Sequence, residues 1–167
     1  LLENILHENG FKVGSFTSPH MLNYNERIKI NTREIETDKV INAFEKINHY
    51  RGKITLTYFE FATLTAFHLF SMNNLDYAIL EVGLGGRLDA TNIVDSDISV
   101  ITSIGIDHTE FLGSTIDSIS LEKGGVMRPF CNCIFAQTNP PAVLLSYAKR
   151  NSTNFLYCGN DFSLKIF

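Results

Sequence analysis

Several kinds of segment are missing from this sequence of 167 residues, and each absence excludes a class of protein. No run approaches the roughly 18 consecutive apolar residues of a membrane span. The start lacks the basic segment and apolar run of a secretory signal peptide. There are no repeats, low-complexity stretches or long linkers. We therefore expect a cytoplasmic protein that does not insert into a membrane.

Cysteine and positive charge are also scarce. The net charge is -4, which gives no electrostatic reason to expect nucleic acid or an anionic membrane as a partner. The three cysteines, Cys131, Cys133 and Cys158, are odd in number and form no C-x-x-C pair. Neither a disulfide framework nor a zinc site is favoured, and we expect buried thiols that behave as small apolar residues.

The hydrophobic share of the composition, 44% against 19% charged residues, suits one domain with a sizeable core over residues 1–167. Apolar residues recur at helical and strand spacing in alternation, which predicts an α/β fold with a mostly parallel sheet and helices on both faces. Leu1 reads as mid-helix, so we expect an upstream strand and loop that precede this sequence and leave the domain incomplete at its N-terminus.

Hydrophobic periodicity, helix-capping residues and glycines that end helices together predict the positions of the helices and strands. Thr37 is expected to cap one helix, Thr57 to open another in a T-x-x-E capping box, and Ser114 to head a third. Helices are expected at 1–9, 37–51, 57–72, 114–125 and 140–150, strands at 11–16, 77–80, 98–104, 133–136 and 155–157, and a hairpin at 25–36.

Glu81 follows the apolar strand Tyr77–Leu80 and precedes a glycine-rich loop. A carboxylate there needs solvent, a charged partner or a cation. A salt bridge with Arg87 and a metal site are both consistent with the sequence. The glycines suit a tight turn, but the dinucleotide pattern G-x-G-x-x-G would need glycine where Leu88 stands, which excludes a dehydrogenase.

Asp107 and His108 follow another strand, and in one parallel sheet they would lie on the same rim as Glu81. A carboxylate and an imidazole there suit a divalent cation, although a histidine that only hydrogen-bonds its own loop is the commoner case. Lys123 near a helix end complements the helix dipole, so its position alone does not make it catalytic.

Five separated motifs of this chain resemble motifs of folylpolyglutamate synthase and dihydrofolate synthase, which belong to the Mur-ligase-like superfamily. The motifs follow one another in the order found in that family. The similarity covers nearly the whole chain and implies the central P-loop-type ATPase domain of such an enzyme. The matching segments are Ser18-Pro19-His20, Asn25-Glu26-Arg27-Ile28, Leu80 to Asn92, Ser103 to Gly113 and Glu122-Lys123-Gly124-Gly125.

The resemblance implies that ATP phosphorylates a pteroate or folate carboxylate and that L-glutamate attacks the resulting acyl phosphate, giving an amide, ADP and phosphate. Glu81 and His108 match magnesium ligands of the family, and Lys123 matches a lysine that carbon dioxide converts into a metal-binding carbamate. Imidazole is an unusual magnesium ligand, so His108 also suits manganese or a contact through water. The resemblance also implies that the enzyme uses K⁺ and that it is a monomer.

On the acceptor side, the resemblance implies that Asp89 and Asn92 contact the pterin of dihydropteroate or folate. Thr17, Ser18 and His20 match the family's folate-side loop. Arg87 is either an anion contact or half of a structural ion pair, and the sequence does not favour one over the other.

The family's phosphate-binding loop, G-x-x-G-K-[ST], and its C-terminal domain are absent from these 167 residues. We therefore expect residues 1–167 alone to be inactive in ligation. A Mur-type ligase for cell-wall precursors and a cyanophycin synthetase-like ligase fit the folate-type motifs less well. A non-catalytic folate-binding relative is the alternative from another class.

Overall fold

The computed structural model describes residues 1–163, which form two compact units. The first unit covers Leu1–Gly83 and the second begins at Leu84. The expected α/β class is confirmed, and the strands pair in two sheets rather than one. The expectation of a single domain stays a prediction.

The first unit is built on a sheet of four strands, β1 (Val13–Phe16), β2 (Ile28–Ile30), β3 (Arg33–Glu34) and β4 (Tyr77–Leu80), in the order β3-β2-β1-β4. β1 pairs in parallel with β4 and antiparallel with β2, and β2 pairs antiparallel with its hairpin partner β3. The elements are α1 (Leu2–Glu8), β1 (Val13–Phe16), β2 (Ile28–Ile30), β3 (Arg33–Glu34), α2 (Thr37–Arg51), α3 (Tyr58–Ser71) and β4 (Tyr77–Leu80), with a 3-10 helix at Tyr24–Arg27.

The two long helices of the first unit, α2 and α3, differ in how their first turns are capped. Thr57 caps α3 as expected, because its hydroxyl accepts from the Glu60 N–H while the Glu60 carboxylate accepts from the Thr57 N–H. Thr37 does not cap α2. It is the first helical residue after Glu36, and its hydroxyl accepts from the Asn25 side-chain amide at 3.1 Å.

The second unit is built on three parallel strands, β5 (Ile98–Ile101), β6 (Asn132–Phe135) and β7 (Asn154–Tyr157), in the order β5-β6-β7. Thr115, rather than Ser114, caps the helix α5 (Ile116–Gly124). The four-residue helix α4 (Thr109–Leu112) was not expected. The elements are β5 (Ile98–Ile101), α4 (Thr109–Leu112), α5 (Ile116–Gly124), β6 (Asn132–Phe135), α6 (Ala142–Arg150) and β7 (Asn154–Tyr157), with a 3-10 helix at Ala90–Ile93.

Each unit has its own apolar core. In the first, Phe16 and Ile28 on the sheet are fully buried against residues of α2 and α3 such as Val40 and Ala66. In the second, Phe135 and Leu144 are central. The three cysteines are free thiols, of which Cys133 is buried and Cys131 and Cys158 are half-buried. None of the helices between residues 1 and 163 has the length and apolar character needed to cross a membrane.

Candidate functional site

The loop after β1 is hydrogen-bonded to the residue after β4. In the parallel pair, Phe16 lies opposite Leu80, so the chain segments that follow leave the sheet side by side. The Ser18 N–H donates to Glu81 Oε2 at 2.7 Å, and the Glu81 N–H donates to the Phe16 carbonyl at 2.9 Å. Two residues that the sequence assigned to different roles, folate loop and metal ligand, are therefore in direct contact.

Glu26 holds the far end of this loop. Its carboxylate accepts from the N–H groups of Met21, Leu22 and Asn23 at 2.6 to 2.8 Å. These three bonds favour the ionised form and lower the pKa of Glu26 to about 2. The side chains of Met21 and Leu22 remain 89% and 87% exposed, so a polar anchor fixes a loop whose apolar tip faces solvent.

Arg27 connects the base of the loop to His20. Its carbonyl accepts from the Thr17 N–H at 2.9 Å, and its Nε donates to His20 Nδ1 at 2.7 Å. The guanidinium carbon lies 5.3 Å from the centre of the Tyr58 ring, a cation–π distance. Arg27 is only 8% exposed, so this arginine is a fixed part of the site rather than a surface charge.

In the second unit, Asp89 shapes the glycine-rich segment. Its Oδ2 accepts from the Leu84 N–H at 3.1 Å, and its Oδ1 accepts from the backbone and hydroxyl of Thr91 at 2.9 and 2.7 Å. Asp89 therefore caps the short 3-10 helix that starts at Ala90. Its predicted pterin contact would be made by a carboxylate that is already oriented by its own loop.

Both the nitrogen and the oxygen of the Asn92 side-chain amide form hydrogen bonds within the protein. Its Nδ2 donates to the carbonyls of Arg87 and Gly125 at 3.2 and 3.0 Å, and its Oδ1 accepts from Arg128 Nη2 at 2.9 Å. These bonds join the loop to the end of α5. The contact with a pterin that the sequence predicts for Asn92 stays a prediction, and the observed bonds show a role in holding the loop.

Arg128 was not singled out from the sequence. Its guanidinium donates to the carbonyls of Asn92 and Val94 on one side and to the Asp95 carboxylate at 2.6 Å. On the other side it donates to the carbonyls of residues 125–127 at 3.3 Å. Arg128 therefore ties the segment after the glycine loop to the end of α5.

Arg87 forms an ion pair with Glu122, with Nη2 2.8 Å and Nε 3.1 Å from Oε1. The hydrogen bonds that Arg87 donates to the Glu122 carboxylate, reinforced by the negative charge of Glu122, raise the pKa of Arg87 above its ordinary value. The Arg87 N–H also donates to the Glu122 carbonyl at 2.8 Å. Of the two interpretations left open by the sequence, these contacts favour the structural ion pair.

His108 is the N-cap residue that precedes α4 and has the left-handed conformation, with φ 49° and ψ 42°. Its N–H donates to Asp107 Oδ1 at 2.8 Å, and its ring Nε2 lies 3.6 Å from Asp107 Oδ2. Both side chains are mostly exposed, so the imidazole is accessible to a ligand. Lys123 lies in the last turn of α5 and is half-buried.

Glu81 and His108 belong to different units, and their predicted convergence on one metal ion with Lys123 stays a prediction. Within residues 1–163, no three histidine, cysteine, aspartate or glutamate side chains form a group that could hold an ion. The predicted set contains only two residues of those types, so this finding does not test it.

Sequence reasoning missed the supporting residues Glu26, Arg27 and Arg128. Glu26 and Arg27 carried part of the family resemblance, but no role was assigned to them. The sequence carried no signal of their roles, because the fold alone brings together the acceptors and aromatic faces that a buried arginine needs.

The chain is similar over nearly all its length to known enzymes, although no protein-family model matches it. Dihydrofolate synthase/folylpolyglutamate synthase of Haemophilus influenzae is 49% identical over 150 residues, which are 90% of this chain and 34% of that protein. Escherichia coli FolC, solved in complex with DHPP and ADP, matches with a TM-score of 0.97 and 42% identity, covering 99% of this chain and 40% of that one.

The bifunctional folylpolyglutamate synthase/dihydrofolate synthase of Yersinia pestis c092, complexed with AMPPNP and Mn ion, matches with a TM-score of 0.91 and 45% identity. That match covers 95% of this chain and 39% of the Yersinia chain. The chain spans about a third of the length of the curated relative and about two fifths of the solved ones.

Proposed function

The chain belongs to the dihydrofolate synthase/folylpolyglutamate synthase family over the part of its relatives that it spans, and from this premise we propose that the whole protein is an ATP-dependent glutamate ligase. Its acceptor is dihydropteroate, a folate, or both. The 49% identity to the Haemophilus enzyme over 90% of this chain is the observation that carries the proposal.

The proposed reaction has two steps. The acceptor carboxylate attacks the γ-phosphorus of ATP, forming an acyl phosphate and releasing ADP. The amino group of L-glutamate then attacks the acyl carbon, phosphate leaves and an amide bond remains. Positioning of the reactants and stabilisation of charge supply most of the acceleration in phosphoryl transfer, so rigid loops around the acceptor are a catalytic requirement.

For the metal, we propose Glu81 as a ligand. It is an exposed carboxylate at the end of β4, and the Ser18 N–H fixes one of its oxygens. Carboxylate oxygen is the donor that Mg²⁺ prefers, and the exposed His108 imidazole also suits Mn²⁺. An ion held by Glu81 and His108 would supply positive charge that offsets the negative charge developing during phosphoryl transfer.

Lys123 is proposed to carry a carbamate. As an ammonium it would repel a nearby metal ion, whereas the carbamate is an oxygen donor. The support for this modification, and for a K⁺ requirement, is the family resemblance alone.

For the acceptor, we propose the loop Thr17, Ser18 and His20 together with Asp89 and Asn92. The loop is held by Glu26 and Arg27, and Asp89 is oriented by the backbone of its own turn. Asn92 is proposed to act chiefly by holding the shape of the glycine-rich loop, because its side-chain amide is hydrogen-bonded to Gly125 and Arg128.

The test is an assay of the full-length protein with ATP, Mg²⁺ and L-glutamate, once with dihydropteroate and once with a folate acceptor. We expect ADP release that depends on the acceptor, together with a product one glutamate heavier by mass spectrometry. Folate binding without any ADP release would instead identify the non-catalytic relative. Turnover with a cell-wall precursor and not with either pterin acceptor would identify a Mur-type ligase.

Two further expectations belong to this proposal. The protein is a monomer, which light scattering of the full-length protein measures directly. It acts in the cytoplasm, which fractionation of the cells that produce it would show.

A further inference from the structure

Arg27 has an unusual environment for a buried arginine. Between residues 1 and 163, no carboxylate lies within ion-pair distance of it. Its guanidinium instead donates to an imidazole nitrogen, His20 Nδ1 at 2.7 Å, and lies over the Tyr58 and Tyr24 rings at 5.3 and 6.0 Å. The buried charge is therefore directed at one partner, the half-buried histidine of the acceptor loop.

This hydrogen bond determines the chemical state of His20. An arginine guanidinium has only donors and stays protonated in proteins. Nδ1 must therefore offer a lone pair, so the ring is neutral and its single proton is on Nε2. The Nε2–H is then the donor that His20 retains, and the positive charge next to Nδ1 polarises the ring and strengthens this donor.

We propose that Arg27 is a positioning residue, which fixes His20 as a neutral Nε2–H donor to a carboxylate or carbonyl oxygen of the pterin-linked acceptor. The proposal rests on the proposed ligase function for the identity of the acceptor. It does not rest on that function for the state of the ring, which follows from the Arg27 contact.

The rest of the loop supports the same role. The Arg27 carbonyl accepts from the Thr17 N–H, so one residue holds both the start of the loop and its histidine. Glu26, its neighbour, holds the three N–H groups that follow His20. Backbone movement of the loop is restricted on both sides of His20, and a rotation of the imidazole would break its bond to Arg27.

Lysine cannot replace this arginine. Its ammonium is a compact charge without a planar face to stack on Tyr58, and it has no fixed fork with which to orient the ring. Arg27→Lys should therefore behave like Arg27→Met in its effect on the acceptor, although it keeps the charge.

The first experiment measures the ring directly in the full-length protein. Histidine labelled with nitrogen-15 gives distinct long-range correlation patterns for the two neutral tautomers. We expect the Nε2–H form for His20 in the wild type, a change in its ring signals in Arg27→Met, and none in the control Arg33→Met on the exposed strand β3. A wild-type His20 protonated on Nδ1 would overturn the proposal, whatever the variants do.

The second experiment is steady-state kinetics. Loss of one oriented neutral hydrogen bond should raise the KM for the acceptor about fivefold to tenfold in Arg27→Met and Arg27→Lys. The kcat and the KM for ATP should stay within about twofold, since neither variant removes a group that contacts the nucleotide. In a His20→Ala background, Arg27→Met should add no further change. Additive effects, or equal losses for both substrates, would overturn the positioning role.

The two proposals fail in different ways. A wild-type protein without ligase activity refutes the proposed function, and the tautomer of His20 still judges the role of Arg27. An active ligase in which His20 is protonated on Nδ1 refutes only the role of Arg27.

Discussion

The Ser18 N–H and the Glu81 carboxylate, 63 positions apart in the chain, are joined by a hydrogen bond of 2.7 Å. The parallel register of β1 and β4 places them there, because Phe16 and Leu80 are paired and are the last residues of the two strands. The carboxylate proposed to bind the metal thus has one oxygen fixed by the loop proposed to bind the acceptor. A fixed carboxylate loses less conformational entropy when it binds an ion.

Replacing Glu81 by glutamine should remove activity and keep the fold. The amide oxygen of glutamine still accepts from Ser18, but the negative charge that holds a divalent ion is gone. We expect ligase activity of the full-length protein to fall at least about a hundredfold, with circular dichroism and melting temperature nearly unchanged. Glu34→Gln on the exposed strand β3 is the control and should keep its activity. Near-wild-type turnover of Glu81→Gln in saturating magnesium would contradict the assignment.

The bonds of Glu26 give a pH-dependent stability. Three N–H donors lower its pKa from 4.5 to about 2 in the folded protein. Since the folded-state pKa is the lower one, the stabilisation is fully present above about pH 4.5 and is lost as the pH falls towards 2. The melting temperature of Glu26→Gln should therefore lie below that of the wild type at neutral pH.

The difference between the two melting temperatures should shrink steadily between pH 4.5 and pH 2. Glu45→Gln, at an exposed position of α2, is the matched control and should show no such trend. A difference for Glu26→Gln that is independent of pH would show that the lost bonds do not depend on the charge of the carboxylate.

Helices and strands were predicted well where the local sequence carries a strong signal, such as an apolar run or a capping box. The strand Tyr77–Leu80 has the predicted bounds, and the Thr57 capping box forms as expected. Helix α4 has only four residues, too few to show a period, and was missed. The division of the strands into two sheets was also missed, because a strand's own sequence does not specify its pairing partner.

For the candidate site, residue types and motifs identified the loops, but not the side chains that hold them. The resemblance pointed to His20 and Asn92, whereas Arg27 and Arg128 become visible only through their contacts. Arg128 and Asn92 are 36 positions apart, and nothing in either local sequence indicates the other. Such contacts depend on tertiary packing, which composition and periodicity do not encode.

Arg128 should contribute strongly to stability. Its side chain is only 16% exposed. Its loss would remove a donor from the carbonyls of Asn92 and Val94 and one of the donors to the carbonyls of residues 125–127. We expect Arg128→Met to lower the free energy of unfolding by about 3 kcal/mol in urea denaturation. Arg128→Lys should recover less than half of that, because one ammonium cannot span both groups of acceptors.

The control for Arg128 is Arg150→Met, at the exposed end of α6. Its effect should stay within about 0.5 kcal/mol. Equal losses in the two variants would mean that the bonds of Arg128 contribute no more than an ordinary surface arginine.

At Gly86 the glycine-rich loop packs against the backbone of α5. A Cβ there would lie 2.9 Å from the Glu122 carbonyl oxygen and 3.1 Å from that of Lys123. Both atoms are helix backbone, so Gly86→Ala must displace the loop or the helix, and we expect a loss of about 1–3 kcal/mol in the free energy of unfolding.

Gly105→Ala is the matched control, because its Cβ would meet nothing within 4 Å and its backbone does not require glycine. Its effect should stay within about 0.5 kcal/mol. Equal stability of the two variants would show that the loop and α5 accommodate a methyl group, and that their close approach is not a requirement of the fold.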